Sequence, residues 1–141
     1  MRSTESTMFT TQSTTVPEQE PAPVTAHAMH IDVEHRPEGV VLARISGEVD
    51  LLSAPELRKF VEKTSPDDRL VLDLDGLGFL GSAGLSVLAE LAEQWARRAC
   101  PWAVVATSRV VRRPLEATGL IGQLPVHPTT ETAVRAVTTA G

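Results

Sequence analysis

The sequence predicts an α/β fold: a mixed, mostly parallel sheet of about five strands covered by four helices, in the order β-β-α-β-α-β-α-β-α. Two patterns in the sequence favour this fold. Short aliphatic runs alternate with stretches in which apolar side chains recur every three or four positions, and turn residues separate the two kinds of stretch. The chain of 141 residues has room for one domain of ordinary size.

The first predicted elements are a hairpin and a helix. Residues 29–34 alternate apolar and polar side chains, as a half-buried strand does, and residues 40–46 form a second strand. Gly47–Asp50 is predicted to be a loop. Ser53 and Glu56 have the spacing of a capping box, which indicates that a helix starts there.

The rest of the domain alternates strands and helices. An aliphatic strand at residues 70–75 precedes a glycine-rich turn at 76–81, and a long helix starts near Ser82. The remaining predicted elements are a strand at 102–107, a short helix capped by Ser108, kinked at Pro114 and closed by Gly119, an edge strand at 123–127, and a helix over 130–139.

Residues 1–26 differ in composition from the rest of the chain. Ten of them are Ser or Thr and three are Pro, with few apolar residues. Such a segment cannot bury enough apolar surface to offset the entropy of ordering it, so we predict a disordered tail at 1–26 and a folded domain at 27–141. The tail is either an inert leader or a segment that is phosphorylated or binds a partner.

Composition and charge exclude several classes of protein. Thirteen basic and eighteen acidic side chains give a net charge of -5, which disfavours binding to nucleic acid or to an anionic membrane. The single Cys100 excludes an internal disulfide and a cysteine-rich zinc site. No apolar run is long enough to span a bilayer, and none follows Arg2 as in a secretory signal. We therefore expect a cytoplasmic protein that holds no metal.

One glycine motif matches a dinucleotide fingerprint. Gly76, Gly78 and Gly81 have the required spacing between a strand and a helix. However, the apolar pair Phe79-Leu80 occupies the turn that would face a pyrophosphate, and the following strand ends without an acidic residue to bind a ribose. We therefore predict no nucleotide cofactor.

No pattern of catalytic residues stands out. The order Gly81-Ser82-Ala83-Gly84 does not match the nucleophile elbow, because the serine directly follows the first glycine. No histidine has a partner at metal-ligand or acid–base spacing. We predict no catalytic residue and no enzymatic activity.

Two further features have more than one interpretation. Three arginines cluster on the short helix: Arg109, Arg112 and Arg113. They form either a solvated face or a surface that binds a protein or a phosphate. Cys100 is either a small packed residue or an exposed thiol that forms an intermolecular disulfide.

The segment from Ser82 to Leu85 offers a binding surface. It follows the carboxyl end of a central strand, where open α/β sheets place their binding sites. Gly81 and Gly84 lack side chains, so another backbone can approach closely. The Ser82 hydroxyl either caps the helix or takes part in binding.

Several motifs resemble STAS domains in order and spacing. They are Gly47-Glu48-Val49-Asp50, Ser53-Ala54 with Leu57-Arg58, Leu72-Asp73-Leu74, Phe79 to Leu85, and Arg113-x-Leu115-x-x-Thr118-Gly119-Leu120. The resemblance spans residues 28–140. Within this family, the chain is most similar to the small single-domain anti-sigma factor antagonists of bacteria.

The resemblance implies a function. Such proteins bind an anti-sigma factor, commonly an ATP-dependent serine kinase, and so release a sigma factor for transcription. The kinase often phosphorylates a serine in an Asp-Ser-Ser-Gly-Leu or Asp-Ser-Thr-Gly-Leu loop. Here the matching residues are Gly81-Ser82-Ala83-Gly84-Leu85, so Ser82 is the implied phosphoacceptor while the neighbouring carboxylate and second hydroxyl are absent. Control by expression, by Cys100 redox chemistry or by the tail is the alternative.

The predicted partner-binding surface joins the loop after the second strand to the start of the long helix. Its residues are Glu48, Asp50, Leu51, Ser53, Gly81, Ser82, Ala83, Gly84 and Leu85. An exposed Leu51 or Leu52 is the expected apolar anchor.

We expect Ala83→Glu or Gly84→Trp to weaken partner binding and to leave the fold intact. Two alternatives remain for the domain as a whole: a STAS subunit of a larger signalling or lipid-transport assembly, or a module that senses a small molecule or nucleotide with the same loop.

Overall fold

The computed structural model describes residues 28–64, 68–98 and 101–139. The predicted tail at 1–26 and Cys100 lie outside the described residues. The predicted order of elements is confirmed, with a short 3₁₀ helix added. In chain order the elements are β1 (Met29–His35), β2 (Val40–Val49), α1 (Ala54–Lys63), β3 (Arg69–Leu80), α2 (Ser82–Ala96), β4 (Trp102–Val105), α3 (Arg109–Ala117), a 3₁₀ turn (Leu120–Gly122), β5 (Val126–His127) and α4 (Thr130–Thr139).

The five strands form one mixed sheet in the order β1-β2-β3-β4-β5. β1 is antiparallel to β2, and the other neighbouring pairs are parallel. Aliphatic side chains alternate between the two faces of the sheet. One face packs against α1, α2 and α3, and the opposite face packs against α4. The sheet is therefore covered on both sides, as parallel strands require.

Two central strands are longer than predicted. β2 continues to Val49 and β3 continues to Leu80, so the segments predicted as a loop and a glycine-rich turn are largely strand. The two strands stay paired up to Val49 and Leu80 through two shifts of register. Gly47 has φ +88°, and a Cβ on Gly76 would lie 3.1 Å from the Ile45 carbonyl oxygen. The glycines mark an irregular ladder and a close backbone approach, and do not end the strands.

The start of α3 is capped from a neighbouring strand. Asp75 of β3 accepts hydrogen bonds from the amides of Thr107 (2.6 Å) and Ser108 (3.0 Å) and from the Thr107 hydroxyl (2.6 Å). Ser108 is the N-cap residue of α3, as predicted, but its hydroxyl makes no capping bond, so that part of the prediction is wrong. Burial raises the pKa of Asp75, but these three hydrogen bonds outweigh it and hold the pKa below its usual value.

The other predicted features of this region are partly correct. Gly119 follows α3 with φ +75°, which confirms it as the residue that closes the helix. Pro114 lies inside α3, as predicted. The predicted edge strand at 123–127 is reduced to two residues, Val126 and His127.

Two tryptophans pack together near the amino end of β4. The ring centroids of Trp95 and Trp102 are 6.0 Å apart. The Arg98 guanidinium lies 5.0 Å from the centre of the Trp95 ring, in a cation–π contact. Since Trp95 is buried, this cluster closes the core at the carboxyl end of α2.

Candidate protein-binding surface

Two loops meet at the carboxyl ends of β2 and β3. The last pair of these strands is Val49 and Leu80, and the Gly81 amide donates a hydrogen bond of 2.9 Å to the Val49 carbonyl. Residues 50–53, which connect β2 to α1, therefore lie beside the start of α2. The sequence-predicted site residues are thus brought together by the pairing of these two strands.

The Asp50 side chain fixes the shape of the first loop. Its Oδ1 atom accepts hydrogen bonds from the amides of Leu52 and Ser53, each 3.0 Å long. The Ala54 amide donates to the Asp50 carbonyl (2.8 Å), which joins the loop to the first turn of α1. A carboxylate that satisfies consecutive amides in this way holds a tight turn.

Ser53 supports the same loop from inside. Only 6% of this residue is exposed. Its hydroxyl donates to the Glu48 carbonyl (2.7 Å) and accepts from the Asp50 amide (2.9 Å). It makes no capping bond to α1, so the predicted capping box is wrong. The hydroxyl is used within the chain, because β2 extends far enough to bring the Glu48 carbonyl within reach.

The loop holds two apolar side chains in solvent. Leu51 is 79% exposed and Leu52 is 71% exposed, so both expected anchors are on the surface. Phe79, near the end of the neighbouring strand, is 47% exposed. Large exposed apolar side chains at the carboxyl ends of neighbouring strands are typical of a protein-binding surface.

Phe79 was not predicted as a site residue. The sequence places it in a glycine-rich stretch that has the composition of a turn, whereas the structure places it in β3. A Cβ on Gly81 would lie 2.9 Å from the Phe79 ring. Glycine at this position therefore makes room for the ring. The signal that could have identified Phe79 is a large apolar residue between glycines.

Ser82 is exposed at the first position of α2. The helix N-terminus carries a partial positive charge, which stabilises negative charge placed beside it. Glu48 is half-buried at the end of β2. The surface thus combines an exposed hydroxyl, a carboxylate and apolar side chains.

Gly84 lies beneath this surface. A Cβ there would lie 2.6 Å from Val49 Cγ1 and 2.7 Å from Leu80 Cδ1. The expectation that Gly84→Trp leaves the fold intact is therefore wrong, because α2 packs directly on the two strands at this point. Ala83 and Leu85 are half-buried against the core.

Neither a metal centre nor a membrane-spanning helix is present among the described residues. They contain no group of three or more His, Cys, Asp or Glu side chains that could hold a metal ion. Within the same ranges, no helix has the length and apolar character needed to cross a bilayer.

Comparison with known proteins identifies the family. The STAS domain model matches residues 30–133. The chain belongs to the STAS domain family.

Relatives within this family carry a more specific name. The anti-sigma-F factor antagonist RsfA of Mycobacterium tuberculosis is 34% identical over 115 residues, which cover 79% of this chain and 89% of RsfA. RsfB of the same organism, also named an anti-sigma-F factor antagonist, is 38% identical over 84 residues, which cover 58% of this chain and 68% of RsfB.

Solved structures agree with this assignment. An anti-sigma factor antagonist from Mycobacterium paratuberculosis superposes with a TM-score of 0.68 at 36% identity, over 78% of this chain and 94% of the other. Unphosphorylated SpoIIAA superposes with a TM-score of 0.63 over 77% of this chain and 96% of SpoIIAA. At 19% identity, SpoIIAA supports the fold alone.

Proposed function

We propose that this protein is an anti-sigma factor antagonist, which binds an anti-sigma factor and thereby releases a sigma factor. The observation that carries the proposal is the pair of exposed leucines, Leu51 and Leu52, on a loop fixed by Asp50 and Ser53. The mycobacterial relatives named as antagonists support the same function.

The proposed binding surface consists of residues 48–52 and 79–83. Its apolar side chains give up contact with water when a partner covers them, and a few such side chains supply most of the affinity of an interface. The loop is already held by hydrogen bonds, so little conformational entropy is lost on binding. The carboxylates of Glu48 and Asp50 favour a partner with basic groups around an apolar patch. Ser53 and Gly84 contribute by shaping this surface from below.

Ser82 is the proposed phosphoacceptor, and the anti-sigma factor is proposed to be a serine kinase. The exposed hydroxyl stands on the first turn of α2, beside the loop that carries Leu51 and Leu52. A phosphate there would add up to about two negative charges to the binding surface. The free-energy cost of desolvating these charges would oppose binding of this protein to the anti-sigma factor. The released anti-sigma factor would then bind its sigma factor again.

The protein is proposed to act by binding alone, without catalysis. We place it in the cytoplasm, where the sigma factors that it would release act on transcription.

Affinity for anti-sigma factors tests the function. Each purified anti-sigma factor of the source organism is titrated with the protein by calorimetry. We expect one of them to bind. Leu52→Asp should weaken that binding at least tenfold, since it places a charge in the apolar centre of the interface.

The control is Val110→Asp, which changes a 44% exposed apolar residue on α3. It should leave the affinity unchanged. Absence of binding to every anti-sigma factor, or equal affinity for Leu52→Asp and the wild type, would refute the proposal.

Phosphorylation of Ser82 is tested with the anti-sigma factor kinase that binds this protein. After incubation with ATP, we expect mass spectrometry to find phosphate on Ser82, and Ser82→Ala to abolish it. Ser86→Ala, which alters an exposed serine one turn further along α2, is the control and should leave the modification intact. An active kinase that leaves Ser82 unmodified would contradict this part of the proposal.

A further inference from the structure

The edge strand β1 has backbone groups that point away from the sheet. The Glu48 amide donates to the Ala28 carbonyl (3.2 Å), and the Arg36 amide donates to the Val40 carbonyl (2.8 Å). Even-numbered residues therefore direct their backbone groups toward β2. Because the direction alternates along an antiparallel ladder, the odd-numbered residues of 29–35 direct theirs outward. Among the described residues, β1 pairs with β2 alone.

The two edges of the sheet differ in how they are protected. β5 has two residues and follows Pro125, so it offers little to another strand. β1 has seven residues and contains no proline. Val33, in the middle of β1, is 43% exposed. A long unpaired edge that carries an exposed apolar side chain favours pairing with another strand.

A groove open to solvent, with a volume of about 420 Å³, runs beside this edge. Val33 of β1, Val41 of β2 and Phe60 of α1 form its apolar part, and the remaining lining residues are polar: His35, Lys63, Thr64 and Asp68. A strand added at the edge would lie beside this groove. Apolar side chains that it carried on this face would contact the exposed Val33.

We propose that a second copy of this chain pairs with β1 in an antiparallel, two-fold symmetric arrangement centred on Ile31. Ile31 then lies opposite Ile31 of the second copy, and Met29 lies opposite Val33 of the second copy. These residues have outward-directed backbone groups, so each pair can exchange two backbone hydrogen bonds. On the face that α1 covers, these side-chain pairs are all apolar. The proposal does not depend on the proposed function.

Charge selects this register over its neighbours. With the axis at Ile31, His30 lies opposite Asp32 of the second copy, so an imidazole N–H can donate to a carboxylate. With the axis at Asp32, the Asp32 carboxylates of the two copies would face each other. With the axis at Val33, the Asp32 carboxylate would face the Glu34 carboxylate of the second copy. Like charges directly opposite each other destabilise a pair of strands, so the register centred on Ile31 is favoured over those centred on Asp32 and Val33.

Sedimentation equilibrium of the full-length chain tests the proposal. Reducing agent is present throughout, so that a disulfide through Cys100 cannot join two chains. At concentrations up to about 100 μM, we expect a species of twice the 15.1 kDa chain mass. A chain that stays at the monomer mass over this range would refute the dimer.

Two sets of variants test the interface. Val33→Lys should weaken the dimer at least tenfold, whereas Val110→Lys, at a residue of matching exposure on α3, should have no effect. His30→Asp should weaken the dimer, because the new carboxylate would face the Asp32 carboxylate of the second copy. Adding Asp32→His to it should restore the dimer, since the opposite groups are complementary again.

A dimer that persists in Val33→Lys would rule out pairing through β1. A doubly exchanged variant as weak as His30→Asp would rule out the Ile31-centred register. Circular dichroism checks that each variant is folded.

Discussion

Ser53 and Ser82 occupy similar places in the sequence, each at the predicted start of a helix. Ser53 is buried and bonds to the Glu48 carbonyl, whereas Ser82 is exposed. The difference arises from the length of β2, which a local pattern does not reveal. Residue patterns located the two loops of the proposed surface, but they could not tell which hydroxyl is used inside the fold.

Substitutions of Asp50 test whether its side chain holds the loop between β2 and α1. Asp50→Asn keeps an oxygen that accepts from the Leu52 and Ser53 amides, so we expect the free energy of unfolding to change by less than about 0.5 kcal/mol. Asp50→Ala removes this acceptor and should cost about 1–2 kcal/mol. Urea denaturation measures both values. Equal stability of the two variants would show that the side chain does not hold the loop.

Gly84 provides a test of packing between α2 and the strands below it. Gly84→Ala would bring a methyl group against Val49 and Leu80, and we expect a loss of about 1–3 kcal/mol in the free energy of unfolding. Gly122→Ala is the matched control, because a Cβ there meets nothing within 4 Å. Thermal denaturation of both variants measures the loss of stability. A Gly84→Ala protein as stable as the control would show that the helix can shift to admit the methyl group.

At the scale of elements, Asp75 joins β3 to the start of α3. The lowered pKa means that the folded state favours the ionised carboxylate. The stabilisation is therefore fully present above the ordinary pKa of about 4 and is lost as the pH falls through the lowered value. The difference in unfolding free energy between the wild type and Asp75→Asn should shrink between about pH 5 and pH 2. A difference independent of pH would contradict this role for the carboxylate.

Substitution of Ser108 should not destabilise the fold, in contrast to substitution of Asp75. The Ser108 hydroxyl oxygen is buried without a hydrogen-bond partner in the part of the chain that the structure describes. Ser108→Ala removes this unsatisfied group, so we expect stability to stay unchanged or to rise by up to about 1 kcal/mol. Denaturation in urea at pH 7 measures the change. A marked loss of stability would show that the serine caps α3 after all.

The sequence predicted the kinds of element well and their ends less well. The aliphatic runs of β3 and β4 are unambiguous because strands buried on both faces need continuous apolar residues. The glycines at 76, 78 and 81 have the composition of a turn, although the first two lie within a strand. Pairing with β2 decides their conformation, and this pairing joins residues about thirty positions apart. Phe79 was missed for the same reason.

At the scale of the whole molecule, the predicted order of strands and helices is confirmed, but caps and strand ends depend on contacts between elements. Asp75 is 33 residues away from Ser108, the residue whose amide it accepts from. Local propensity cannot anticipate such a contact, whereas the order of the elements follows from local periodicity alone. The proposed dimer also belongs to this scale, since it extends one sheet across two chains.

The tryptophan pair has a practical consequence. The chain has two tryptophans and no tyrosine, so its near-ultraviolet fluorescence comes chiefly from Trp95 and Trp102. Along α2, Trp95 lies about 20 Å from Ser82. Emission should therefore follow global unfolding and stay constant when a ligand or phosphate is added at the opposite end of the helix. A spectroscopist can thus monitor unfolding with the natural chromophores and reserve an extrinsic dye near Leu52 for association.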